Sequence, residues 1–329
     1  MTERLRRWST VVVAGAIVLS VTAAARSAVP GAPAAPRLPA VRAATLHERY
    51  EANRRFLAES RDAAQRLDDT SRSQVLDRLA APDRQFLTVS TEGDGLAVEV
   101  FGDLAGADRI AVVVPGSDTT IDTFDELGTK SASLNGGARA LYAEMRRTAP
   151  GTPVAVVAWL GYHAPRTMSR DVAENGRAAA GGSELREFLA QLRSANATAP
   201  VALVCHSYGS VVCGSAVRDL DRASRRQLSG VAVVGSPGMG VASAAELRTD
   251  VPLWAGRGAQ DWITDVPHVE VNILGRTFGF GADPVAPSFG ARHFATGAGG
   301  HSDYFLPGSV PLHNLALIGL GRDGQVSHD

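Results

Sequence analysis

Val201-Ala202-Leu203-Val204-Cys205, then His206-Ser207-Tyr208-Gly209, then Ser210-Val211-Val212-Cys213-Gly214-Ser215-Ala216-Val217 is the stretch on which the fold turns. Its first five residues form a short apolar run of strand length, and its last eight carry apolar residues at helical spacing. Strand, sharp turn bearing a serine, then helix is the context that makes an S-x-G match a nucleophile elbow. Such a turn lifts Ser207 Oγ above the sheet edge. It also aims the free N–H groups of a helix N-terminus at the place where negative charge would develop. Alone the match is weak, because the full G-x-S-x-G pattern needs glycine where this chain has Cys205. A buried serine in a strand-to-helix turn is the commoner meaning of a lone S-x-G. The surrounding sequence decides between the two.

Outward from this stretch, apolar runs recur at Gln85–Thr91, Leu96–Gly102, Arg109–Val114, Val154–Leu160, Val231–Val234, Leu253–Ala255 and Val269–Ile273. Glu92-Gly93-Asp94-Gly95 between the first two is a hairpin signal. Helical patterns such as Ala138–Arg147, Ser183–Arg193 and Ala242–Arg248 fill most of the gaps. Short apolar runs alternating with helices predict a mostly parallel sheet covered by helices on both faces. Eight strands, the first two antiparallel, is the α/β-hydrolase order. Residues 44–80 read as an N-terminal helical hairpin, with Leu46, Tyr50, Phe56, Leu57, Leu67, Val75 and Leu79 recurring among charges and no Gly or Pro. The expected domain is therefore 44–329. Two long segments, Gly161–Gly182 and Gly275–Gly300, fall at the carboxyl edge of the sheet, where open α/β folds bind ligands. Loops of that length are expected to form a lid or pocket wall.

The 329 residues are 45% hydrophobic and 20% charged, ordinary for a globular chain, and the formal net charge of −1 argues against a nucleic-acid partner. Lys130 is the only lysine. Arg4, Arg6 and Arg7 precede the apolar run Val11–Val21, and Ala23-Ala24-Ala25 follows. That three-part pattern predicts a secretory signal over 1–25, with an uncleaved anchor as the alternative. The Pro/Ala-rich stretch that follows, 26–43, reads as a disordered spacer. Secretion or cell-envelope association is the expected location. Export would allow a disulfide between Cys205 and Cys213, clamping strand to helix beneath the nucleophile; two reduced thiols packing as small apolar groups are the alternative.

In this fold a triad follows the chain order serine, acid, histidine. Ser207 ends the fifth expected strand. Asp261 follows the seventh, in Gly256-Arg257-Gly258-Ala259-Gln260-Asp261, and His301 follows the eighth, in Gly299-Gly300-His301-Ser302-Asp303-Tyr304-Phe305. A serine hydroxyl is a poor nucleophile until a base takes its proton, and the acid fixes that base's tautomer. Oxyanion donors are expected at the Tyr208 N–H and, from the loop after the third strand, at the Ser117 N–H, with Gly116 permitting close approach. Rivals are Asp265 and Asp303 for the acid and His293 for the base. His206 is expected to point away from the catalytic histidine. No metal-site spacing is apparent, and no cofactor is expected.

Ala158-Trp159-Leu160-Gly161-Tyr162-His163-Ala164-Pro165, the Val-Pro-Gly at 114–116, the elbow and the Gly-His-Ser-Asp-Tyr at 300–304 together resemble a family of α/β hydrolases common in actinobacteria, whose substrates are largely undefined. The likeness covers roughly residues 46–322. It implies Ser207, Asp261 and His301 as the catalytic residues. The chain departs from the family pattern at His163, where Asp is usual, and at Cys205, where glycine is usual. Trp159, Tyr162 and His163 are pocket candidates, with core packing the alternative for the two aromatics. The expected function is an exported serine hydrolase acting on a small-molecule or lipid-like acyl ester. Acyl transfer by the same residues, or a non-catalytic envelope-binding role on the same fold, are the other readings.

Overall fold

The computed structural model describes residues 33–125, 133–167, 176–266, 270–273 and 276–328. The expected export signal, 1–25, and residues 26–32 of the spacer lie outside them.

Two helices lead the fold, α1 (Leu46–Arg66) and α2 (Thr70–Leu79). The Asp69 side chain caps α2 by accepting the Arg72 N–H at 3.0 Å. Leu57, Leu76 and Leu79 are fully buried between this hairpin and the body. The hairpin also seals an edge. Strand β1 (Phe86–Ser90) ends the main sheet, and α1 lies against it: Asn53 Nδ2 donates to the Phe86 carbonyl and Arg49 Nη2 to the Leu87 carbonyl, both at 2.8 Å. Edge carbonyls that would otherwise recruit another strand are thereby satisfied. Arg49 also donates to the Pro39 carbonyl, and Val41 is buried. Ordered contacts thus begin before residue 44, which corrects the expectation of a disordered spacer up to 43. The buried guanidinium needs more acceptors than the edge strand supplies.

The remaining elements are β2 (Leu96–Phe101), β3 (Arg109–Val114), α3 (Leu134–Thr148), β4 (Val154–Leu160), α4 (Gly176–Ala195), β5 (Val201–His206), α5 (Gly209–Arg218), α6 (Arg222–Gln227), β6 (Leu228–Val234), β7 (Leu253–Gly256), β8 (Glu270–Ile273), β9 (Arg276–Gly279), β10 (Arg292–His293) and α7 (Val310–Gly319). The eight-stranded sheet runs β1-β2-β4-β3-β5-β6-β7-β10. It is parallel from β4 to β10, and β2 is antiparallel to both its neighbours. Side chains alternate between two cores, as a pleated sheet requires. On β3, Ile110, Val112 and Val114 join the core under α4 and α5, while Ala111 and Val113 join the core under α3 and α7. This is the expected α/β-hydrolase fold.

The eighth strand is not the expected one. Residues Glu270–Ile273 pair with Arg276–Gly279 as a separate antiparallel hairpin. The place beside β7 is taken by Arg292–His293, with Arg292 opposite Trp254 and His293 opposite Ala255. Closing a local hairpin costs little chain entropy, so the apolar run folds back on its neighbour. The strand that replaces it has two residues and no apolar run, and it lies inside the segment expected to be a loop.

On β2, Glu99 is buried but fully paired. Arg84 grips both carboxylate oxygens at 2.7 Å, and Asn135 Nδ2 donates at 2.6 Å. Arg84 also holds Asp125 at 2.7 Å. The cluster ties β2 to the start of α3, one wall of the site described next.

Candidate active site

At the end of β5 the chain reverses sharply. Ser207 takes φ +53°, a left-handed conformation that costs a non-glycine residue about 1–2 kcal/mol. Its N–H is held by the Val234 carbonyl at the end of β6, at 3.0 Å. Gly209 is required two residues on: a Cβ there would lie 2.5 Å from the Pro115 carbonyl oxygen and 2.6 Å from that of Val114. Gly116 presses from the other side, where a Cβ would meet Ser207 Cβ at 2.6 Å. Below the turn, Cys205 and Cys213 form a disulfide with Cα atoms 6.5 Å apart, both residues fully buried. It joins the end of β5 to α5.

The three expected side chains meet. Ser207 Oγ donates to His301 Nε2 at 2.9 Å, and His301 Nδ1 donates to Asp261 Oδ1 at 2.8 Å. A carboxylate only accepts, so the imidazole proton sits on Nδ1 and Nε2 is free to take one. Asp261 is buried, which acts to raise its carboxyl. Hydrogen bonds from His301, Tyr304 and the Ile263 N–H outweigh burial and hold it below the ordinary carboxylate value. The acid therefore stays ionised.

Residues that the sequence reading gave no role complete the arrangement. Tyr304 donates its hydroxyl to Asp261 Oδ2 and accepts the Gly258 N–H at 3.1 Å. Burial, then the bond to Asp261, raises the phenol far above its usual value, so it remains a donor. Gly235, at φ +56°, leaves room for the pair: a Cβ would lie 3.0 Å from both Asp261 Oδ2 and His301 Nδ1. His206 does not point away, which corrects the expectation. Its Nε2–H donates to the His301 carbonyl at 2.8 Å, and the two rings lie 4.8 Å apart. Burial, then the neighbouring His301, pushes its pKa down to about 4, so it acts as a neutral strut. His206 and Tyr304 could have been found only by knowing that residues 95 and 43 positions apart, respectively, meet.

The hydroxyl opens into a cavity of about 470 Å³. The loop after β3 forms one wall, with Gly116, Ser117 and Asp118 beside Ser207 and Tyr208. That loop is pinned: Tyr162 donates its hydroxyl to the Pro115 carbonyl at 2.9 Å, and Pro165 accepts the Asp118 N–H at 2.9 Å. Apolar side chains line the rest, among them Leu134, Ile263, Val266, Phe280 and Phe305. Such an arrangement can generate an activated alkoxide beside an apolar pocket with backbone N–H groups at hand.

A family model described as alpha/beta hydrolase matches residues 91–271, more than half of the chain. The chain belongs to this family. Uncharacterized protein Rv2079 of Mycobacterium tuberculosis is 26% identical over 262 residues, which is 72% of this chain and 39% of that one. Uncharacterized protein Mb0988c of Mycobacterium bovis is 31% identical over 184 residues, 53% of this chain and 65% of that one. The chain thus spans less than two thirds of either relative. Among solved structures, an α/β serine hydrolase without a lid from Xanthomonas campestris is similar at 14% identity with a TM-score of 0.40, over 76% of this chain and 98% of that one.

Within this α/β hydrolase the three pocket candidates are corrected, since none lines the cavity. Trp159 is buried and stacks on Tyr162, ring centroids 5.9 Å apart. Tyr162 spends its hydroxyl on the loop after β3, and His163 is exposed to solvent. The strand alternation turns Trp159 into the core under α4, away from the catalytic edge. Of the long segments, Thr167 and Phe280 do reach the cavity. Among the rivals, Asp265 is exposed, Asp303 accepts the Gly300 N–H at 2.8 Å, and the His293 carbonyl accepts from His328 at 2.7 Å. Among the described residues, neither Asp265 nor Asp303 bonds to His301, and His293 does not bond to Ser207.

Proposed function

We propose that this α/β hydrolase is an exported serine esterase that works through an acyl-enzyme. The observation that carries the reading is the unbroken relay from Ser207 Oγ through His301 to Asp261, at 2.9 and 2.8 Å. As Ser207 Oγ attacks the ester carbonyl carbon, His301 Nε2 takes its proton, and Asp261 steadies the imidazolium. The N–H groups of Tyr208 and Ser117 are the proposed donors to the oxyanion, on loops that meet at Ser207. Collapse of the tetrahedral intermediate breaks the bond to the alcohol oxygen, which leaves with the proton from His301. Water then attacks the acyl-serine, gives a proton to His301, and the acid departs as Ser207 recovers its hydrogen. The apolar lining suits an acyl chain. The buried disulfide at 205–213 supports an oxidising compartment, consistent with a signal over 1–25 and a secreted or envelope-associated protein. Hydrolysis of a panel of p-nitrophenyl esters tests the reading. Ser207→Ala should lower kcat/KM on the order of 10⁴-fold or more; unchanged turnover refutes it.

A further inference from the structure

Trp262 is half exposed, at 50%, although the other large apolar side chains described around the cavity are covered more fully. Its indole stands at the cavity with its centroid 4.5 Å from that of His301, the planes tilted by 45°. The exposure is not looseness. Asp261 precedes it, with its carboxylate accepting from His301 and from the Ile263 N–H, the latter at 2.9 Å. Ile263 follows it and is buried, and Thr264 Oγ1 donates to the Asp261 carbonyl at 2.9 Å. A rigid turn, anchored on the catalytic carboxylate itself, thus presents an aromatic face to water. Large apolar surface fixed in this way gains free energy when a ligand covers it.

Chemistry says which part of a ligand passes there. On the ester reading, His301 Nε2 must hand its proton to the departing oxygen, so the alcohol portion lies against the imidazole. The aromatic side chain that flanks this imidazole and faces solvent is Trp262. No Lys or Arg is among the described residues lining the cavity, and its carboxylate at Asp118 outside the triad already accepts from Thr167, through the N–H at 3.0 Å and through the hydroxyl.

We infer that Trp262 is a specificity-determining residue that stacks on the leaving alcohol, and that the substrates are esters whose alcohol carries a ring. The inference rests on the esterase reading and deepens it. A flat ring can come from an aryl group or from a sugar, and the experiment separates them. Methyl, benzyl, glucose-6-yl and choline esters of butyric acid share one acyl-enzyme, so deacylation is common to all four and drops out of kcat/KM. In Trp262→Ala, the kcat/KM ratio of the ring-bearing ester to the methyl ester should fall roughly threefold to tenfold. Trp262→Phe should restore much of it. The larger fall, benzyl or glucose, assigns the ring as aryl or sugar. An equal loss across all four esters would mean that Trp262 only supports Asp261 and His301, and would overturn the inference while leaving the esterase intact. The largest loss on the choline ester would also overturn it, in favour of a cation. Failure of the unmodified protein to turn over any ester would instead remove the esterase reading, and this inference with it.

Discussion

The serine side of the site and the histidine side are held by different forces. Ser207 sits between a strand and a helix, bracketed by glycines whose Cβ atoms would clash and by a buried disulfide. His301 sits on irregular chain between β10 and α7, held by polar contacts to Asp261, His206 and Ser207. The first is fixed by packing and covalent geometry, which have little give. The second is fixed by hydrogen bonds in a half-buried pocket, which are individually modest and depend on protonation. A nucleophile turn can store strain because its frame is rigid, whereas a base that must gain and lose a proton is better held by groups that tolerate its charge.

Breaking the polar side at its acid should have the largest effect. Asp261→Asn keeps the size but can present an N–H where His301 needs an acceptor, so kcat for ester hydrolysis should fall about 10⁴-fold with the folded state retained by circular dichroism. A small loss would mean that His301 is held well enough by its other contacts. The packing side should respond in stability. Removing the bridge with Cys205→Ala and Cys213→Ala together frees a short loop, of separation 8, and should cost roughly 2–3 kcal/mol, read as a lower urea midpoint. No shift would show that the glycines and core alone hold the elbow.

The smallest effect concerns pH. His206 titrates from 6.5 in the unfolded chain to about 4 in the fold. Between those values the unfolded chain binds a proton that the folded one refuses, so stability falls as pH drops through that window. Because the ring borders the cavity, water screens it, and the loss should be about 1–2 kcal/mol. His206→Gln keeps an N–H donor without titrating, and should flatten the slope of unfolding free energy between pH 6.5 and 4. Asp261 acts in the same sense at lower pH: its depressed pKa contributes stability above the ordinary carboxylate value, lost as pH falls through the folded value. An unchanged slope in His206→Gln would show that His206 is not the strut.

This contrast also explains what was legible in the sequence. The elbow, the strand runs up to β7 and the order of Ser207, Asp261 and His301 are local patterns, and local patterns reflect packing. What escaped is polar and non-local. The pairing of His206 with the His301 carbonyl, the donation of Tyr304 to Asp261 and the space left by Gly235 join residues that are far apart in the chain. β10 has two residues and no apolar signature, so the run at 269–273 looked like the better strand. Trp159 and Tyr162 were conspicuous by composition, yet sheet alternation, which fixes their direction, turns them into the core.

The most direct test of the central claim is covalent. Treating the folded protein with a fluorophosphonate and mapping peptides by mass spectrometry should reveal a single phosphonyl adduct, on the peptide carrying Ser207, and none in Ser207→Ala. An adduct confined to another residue, or no adduct on protein shown to be folded, would contradict the account.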